Sequence, residues 1–165
     1  MKKILITIVS LIMLFSISVR DCIAQNISGE SAKLAGYSST ENFDYRVQNL
    51  RRFLLKYNSP LAPYAEKFVM YADGNSLDYR LVPAIAGVES TFGKNIPDGS
   101  YNAYGWANGD YKFSSWEDSI AHVSKTLKNK YIDRGVDSIY EIAKVYAPPS
   151  TTWGNNVSFF IKKID

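Results

Sequence analysis

The chain has 165 residues, 46% of them hydrophobic, 14% aromatic and 21% charged, with a formal net charge of +3. Length and apolar content suit one compact globular domain rather than two domains or a disordered chain. There is no basic tract, so nucleic-acid binding lacks its electrostatic footprint and is set aside as a class.

At the N-terminus, Lys2 and Lys3 precede a 16-residue apolar run, residues 4–19, and the small residues Cys22 and Ala24 stand just ahead of Gln25. The run is short for a membrane span, and the pattern is that of an export signal over residues 1–24; the alternative is an uncleaved membrane anchor. On either reading the domain works outside the cytoplasm, secreted or held in the cell envelope. Removing Lys2, Lys3, Arg20 and Asp21 lowers the net charge to +1 and takes away Cys22, the only cysteine. No disulfide or cysteine ligand is then left. Residues 25–44, mostly polar and rich in Ser, Gly and Asn, predict a linker, and residues 45–165 the folded domain.

Within that domain the apolar positions fall into helical spacing. Val47, Leu50, Phe53, Leu54 and Tyr57 form a first stripe, closed by Asn58-Ser59-Pro60. Pro63 is placed to open a second helix, which Gly74 and Asn75 close. A third follows from Asp78, a suitable N-cap, with Gly93 as its stop; Pro83 lies too far in for a first-turn proline, so a kink or a delayed start is expected. Trp116, Ile120, Val123 and Leu127 give a fourth stripe, and Ser115 with Asp118 has capping-box spacing. Two shorter helices follow, one through Ile139, Ile142 and Tyr146, the other from Thr152 through Val157 and Phe160 to Ile164. The single histidine, His122, lies in the fourth helix without a histidine or cysteine partner, so neither a metal site nor any other cofactor is expected.

Between the third and fourth helices, Asn108-Gly109 is a hairpin-turn signal, since both central positions of a type I′ turn need positive φ. A hairpin on that turn pairs Trp106 with Tyr111 and Tyr104 with Phe113 and sets all four rings on one face. Such a face either packs on the helices or offers a sugar-stacking platform beside a cleft.

Glu89 breaks the apolar pattern of the third helix. Its neighbours at i−3, i−4 and i−7 are Ala86, Ile85 and Val82, and Gly93 stands at i+4, so no basic residue of its own helix is in reach. Apolar surroundings and the negative end of the helix dipole both raise a carboxyl pKa. That is the environment of a general acid, which must keep its proton near neutral pH and give it to a leaving oxygen. The competing reading is a surface glutamate at a frayed helix end.

Four short stretches, in this order and spacing, carry a resemblance: ESTFG at residues 89–93, NAYGW at 102–106, FSSWEDS at 113–119 and YAPPSTTW at 146–153. Together they resemble the landmarks of the bacterial endo-β-N-acetylglucosaminidase autolysins of the lysozyme-like superfamily and, more distantly, lytic transglycosylases. The resemblance implies a mainly helical, α+β lysozyme-like fold, with a small β-hairpin lobe beside an active-site groove. It implies Glu89 as catalytic acid and Tyr146 as the tyrosine that positions substrate or water. Asn102 and Gly105 fall on a turn near the cleft, and with Tyr104, Trp106 and Tyr111 they are the expected substrate-binding residues. Glu117 and Asp118 match an acidic pair at a helix start, where the dipole already explains them. Transglycosylases carry Gly-Leu-Met-Gln where this chain has Tyr104-Gly105-Trp106-Ala107, so the glucosaminidase side fits better. A second carboxylate is not evident; Asp98 and Asp110 are the loop candidates, and an inverting enzyme would need a base at about 6.5–9.5 Å from the acid, a retaining one a nucleophile at about 5–5.5 Å. The expected partner is peptidoglycan or a related amino-sugar glycan, bound by a monomer.

Overall fold

A computed structural model describes residues 43–136 and 138–164. The export signal, and the linker up to residue 42, lie outside the described residues. Six α-helices are described: α1 (Tyr45–Lys56), α2 (Ala65–Gly74), α3 (Leu81–Ser90), α4 (Trp116–Lys130), α5 (Ile139–Tyr146) and α6 (Trp153–Ile161).

Local chemistry sets their bounds. At α1 the Asp44 carboxylate accepts the Arg46 N–H at 2.9 Å, and the stripe buries Leu50, Phe53 and Leu54. Pro63 sits in a single 3-10 turn, Ala62–Tyr64, and α2 starts one residue after it, burying Ala65, Phe68, Val69 and Ala72. The start of α3 is delayed: Asp78 accepts the Arg80 N–H on its side chain at 2.9 Å and the Leu81 N–H on its carbonyl at 3.0 Å. Pro83 therefore falls in the first turn, where a missing N–H has no intrahelical partner to lose. Ser115 caps α4 by accepting the Asp118 N–H at 3.0 Å, but Asp118 reaches back one residue further than a capping box, to the N–H and hydroxyl of Ser114.

All residues from Leu81 to Gly87 are buried, so α3 has no solvent face over its first two turns. A helix apolar on every side belongs in the middle of the core. It packs against α6 and α4, while α2 packs on α1 and α4, and α5 on α6. After α3 the Phe92 ring folds back on Gly87, where a Cβ would lie 2.5 Å from its edge. That ring meets Phe53, Tyr57 and Phe160 at centroid distances of 5.4, 4.4 and 4.9 Å, and the full burial of Phe92 itself contributes about 1.5–3 kcal/mol. The Tyr79 hydroxyl donates to the Ile164 carbonyl at 3.2 Å and joins the C-terminal turn to the segment entering α3.

The expected β-hairpin does not form. No strand occurs among the described residues, and Trp106–Gly109 is a short 3-10 turn wound left-handed at Ala107 (φ 50°) and Asn108 (φ 55°). The α+β expectation is corrected to an all-helical domain with an irregular loop. One side chain explains the change. Asn102 is buried, and its amide donates to the Trp106 and Tyr111 carbonyls at 2.9 and 3.0 Å while its oxygen accepts the Trp106 N–H at 3.0 Å. The Phe113 N–H goes to the Ser100 carbonyl at 2.9 Å instead of across a ladder. With those backbone groups satisfied, strand pairing has nothing left to gain. Nor do the four rings share a face: Tyr104 and Phe113 are buried, Trp106 is half-buried and Tyr111 is exposed.

Candidate active site

The site begins with the last turn of α3, which places Glu89 where the helix stops. Ser90 holds that stop. Its hydroxyl accepts the Gly93 N–H at 2.8 Å and shares its proton between the Ala86 and Ala103 carbonyls at 3.0 and 2.9 Å. Beyond it Thr91 (φ 52°), Phe92 (φ 59°) and Gly93 (φ 80°) are successively left-handed, a conformation that costs about 1–2 kcal/mol for each non-glycine residue. The Phe92 carbonyl is fixed in turn by the Ser59 hydroxyl at 2.8 Å. The chain thus reverses sharply, and the bond from Ser90 to Ala103 draws residues 102–105 alongside Glu89.

The two carboxylate oxygens of Glu89 meet different neighbours. Oε1 accepts the indole N–H of Trp153, the first residue of α6, at 2.6 Å. Oε2 faces Gly105, whose Cβ, had it one, would lie 3.0 Å from that oxygen. Gly105 has a φ of +65° and is exposed, so the residue that stands against Oε2 lies at the surface and carries no side chain. Trp153 is in turn held on both ends. Ser150 accepts its backbone N–H at 3.1 Å, and the Tyr146 ring stacks on the indole at 5.0 Å and 28°. The Tyr146 hydroxyl donates to the Tyr104 carbonyl at 2.9 Å.

Burial is the largest influence on Glu89 and raises its pKa; the indole hydrogen bond pulls the other way. Among the described residues it has no ion-pair partner, and no neighbouring carboxylate adds to the rise. Burial first, and then the nearby Glu89 charge, push the Tyr146 phenol well above its ordinary value. Tyr146 is therefore a neutral hydrogen-bond donor at physiological pH.

The other expected residues divide. Glu89, Gly105 and Tyr146 meet, with Tyr104 contributing its carbonyl while its ring is buried in the core. Asn102 shapes the loop that carries Gly105. Trp106, Tyr111 and Phe113 gather instead on the His122 ring, at 5.2, 6.0 and 5.5 Å. Asp98, in the turn closed by the Ser100 N–H to Pro97 carbonyl bond, and Asp110, just after the left-handed turn, are both exposed, and neither hydrogen-bonds to Glu89 or Tyr146. Glu117 pairs with Lys67 at 2.9 Å and accepts the Tyr71 hydroxyl at 3.2 Å. Its pKa is held low by Lys67, and that of Asp118 by Ser114. Both act in the α2–α4 contact and the α4 cap.

Trp153 is the site residue that sequence reasoning missed. The available signal was chemical: a tryptophan in an apolar helix pattern carries one N–H that needs an acceptor once buried, and Glu89 was the unpartnered acceptor. No group of three or more His, Cys, Asp or Glu gathers to hold a metal ion among the described residues, and none of their helices is long and apolar enough to cross a membrane. No protein-family model matches the chain, and no curated protein matches it significantly.

Proposed function

We propose that the protein is an exported glycoside hydrolase that cleaves β-1,4 bonds between amino sugars in peptidoglycan or a related glycan, endo-β-N-acetylglucosaminidase-like, with Glu89 as general acid. One observation carries the reading: a half-buried carboxyl with no cationic partner, tethered by one oxygen and bordered at the other by an exposed glycine. Burial keeps the proton on the carboxyl to higher pH than on a free glutamate, and the glycosidic oxygen takes that proton as its bond to the anomeric carbon breaks. The order of the four sequence landmarks supports the substrate class, and the basic and apolar N-terminus supports export.

A second reading, lytic transglycosylation, starts with the same protonation and captures the anomeric carbon with the sugar's own 6-hydroxyl. It needs no second carboxylate, whereas inverting hydrolysis needs one about 6.5–9.5 Å from the acid. Mass spectrometry of products from defined peptidoglycan separates the two, because hydrolysis adds water and transglycosylation leaves an anhydro end. A wild-type protein that is retained on insoluble peptidoglycan but releases no cleaved product from it would leave a non-enzymatic glycan-binding module as the function, whereas a folded Glu89→Gln protein that still lyses walls at the wild-type rate would remove Glu89 as the general acid.

A further inference from the structure

Resting on the reading of Glu89 as general acid, we propose that Trp153 and Tyr146 are positioning residues that dedicate Oε1 of Glu89 to a fixed hydrogen bond, so that Oε2, on the Gly105 side, alone delivers the proton.

An indole N–H is a donor only. Oε1, 2.6 Å from it, is an acceptor whether the carboxyl is charged or neutral. A neutral carboxyl with one oxygen so engaged carries its hydrogen on the other, and Oε2 is the oxygen that looks out over the missing side chain of Gly105. Tyr146 sets both walls of this arrangement. Its ring stacks on the indole that holds Oε1, and its hydroxyl holds the carbonyl of Tyr104, whose peptide bond leads into Gly105. The glycosidic oxygen is thus expected on the Gly105 side of the carboxyl.

The perturbation is Trp153→Phe, which keeps a ring for Tyr146 and deletes the N–H. That N–H favours the charged carboxylate. Its loss moves the Glu89 titration, and with it the alkaline limb of the kcat/KM profile, to higher pH. An untethered carboxyl also lowers kcat about 10- to 100-fold with KM little changed. Glu89 is followed directly by NMR of 13C-labelled glutamate carboxyls in the purified protein, assigned by their difference from Glu89→Gln, so the readout needs no turnover. Tyr146→Phe keeps the stack, removes only the hydroxyl and should also lower kcat at constant KM; it decides the matter if Trp153→Phe does not fold. A folded Trp153→Phe protein in which Glu89 titrates as in wild type, or a Tyr146→Phe protein with wild-type kcat, overturns the positioning proposal while Glu89 stays essential. Wild-type lysis by Glu89→Gln instead overturns the general-acid reading beneath it.

Discussion

Gly105→Ala puts a single methyl group against the proposed proton donor. The new Cβ would lie 3.0 Å from Oε2 and 3.8 Å from the carboxyl carbon, the first a few tenths of an ångström inside ordinary contact. The carboxyl cannot yield freely, because Oε1 is tethered to Trp153 at 2.6 Å. Two costs follow and they are separable. The left-handed φ of +65° costs alanine about 1–2 kcal/mol relative to glycine, a fall of roughly 3–8 °C in Tm. The methyl also occupies the space beside Oε2 that the leaving oxygen needs, and a displacement on this scale lowers kcat/KM about 100-fold. Gly109→Ala is the matched control, since Gly109 has a φ of +92° and nothing within 4 Å of its missing Cβ. It should show a similar Tm loss and keep its activity. Thermal melts and clearing of a wall suspension measure both quantities. Wild-type lysis by Gly105→Ala would refute the role assigned to the gap at Gly105; an equal loss of lysis in both variants would assign the effect to loop conformation instead.

Glu89→Gln should abolish lysis and leave retention on insoluble peptidoglycan intact. Because burial raises the folded-state pKa of Glu89 above the ordinary 4.5, its proton stabilises the fold fully below that value, and the gain is lost as pH rises through the raised value; near neutral pH the glutamine variant should therefore melt at or above wild type, with the gap closing in acid. Asn102→Ala removes the amide that satisfies Trp106 and Tyr111 and should cost about 2–4 kcal/mol in urea denaturation, whereas a loss under about 1 kcal/mol would show that the loop finds other partners. Trp106→Ala should weaken glycan retention more than it lowers Tm, since its half-buried ring lies against the exposed His122; a variant that fails to fold would assign the ring to the core.

The helices were legible in the sequence because each carries its own signal: the α1 stripe, the Ser115 cap and the all-apolar run of α3 act over distances of one or two turns. The unusual setting of Glu89 was legible for the same reason, since helical spacing alone surrounds it with Ala86, Ile85 and Val82. The hairpin was misread because Asn108-Gly109 states only that the chain can turn left-handed, and ladder formation depends on whether backbone groups lack other partners. Here Asn102, whose short polar side chain reads equally well as an exposed turn residue, takes them from inside. The Trp153 contact spans 64 residues, and no local pattern records such a meeting; only its unmatched N–H hinted at it.

The Ser90 hydroxyl, bonded at once to the Gly93 N–H, the Ala86 carbonyl and the Ala103 carbonyl, bears on how the molecule breathes. Helix ends ordinarily fray, and their last amides exchange with solvent deuterium early. At this end the Phe92 N–H is bonded to the Ala86 carbonyl at 2.9 Å, the Gly93 N–H is bonded to a buried oxygen, and the following Lys94 and Asn95 N–H groups return to the Ser90 carbonyl at 3.1 and 2.9 Å. Of these amides, that of Gly93 shares its acceptor with the Ala103 carbonyl, so its release also loosens the bond that holds the loop from Ala103 onward. Deuterium uptake at the buried Gly93 should then track the global unfolding of α3, more slowly than at the exposed Lys94 and Asn95 that follow it.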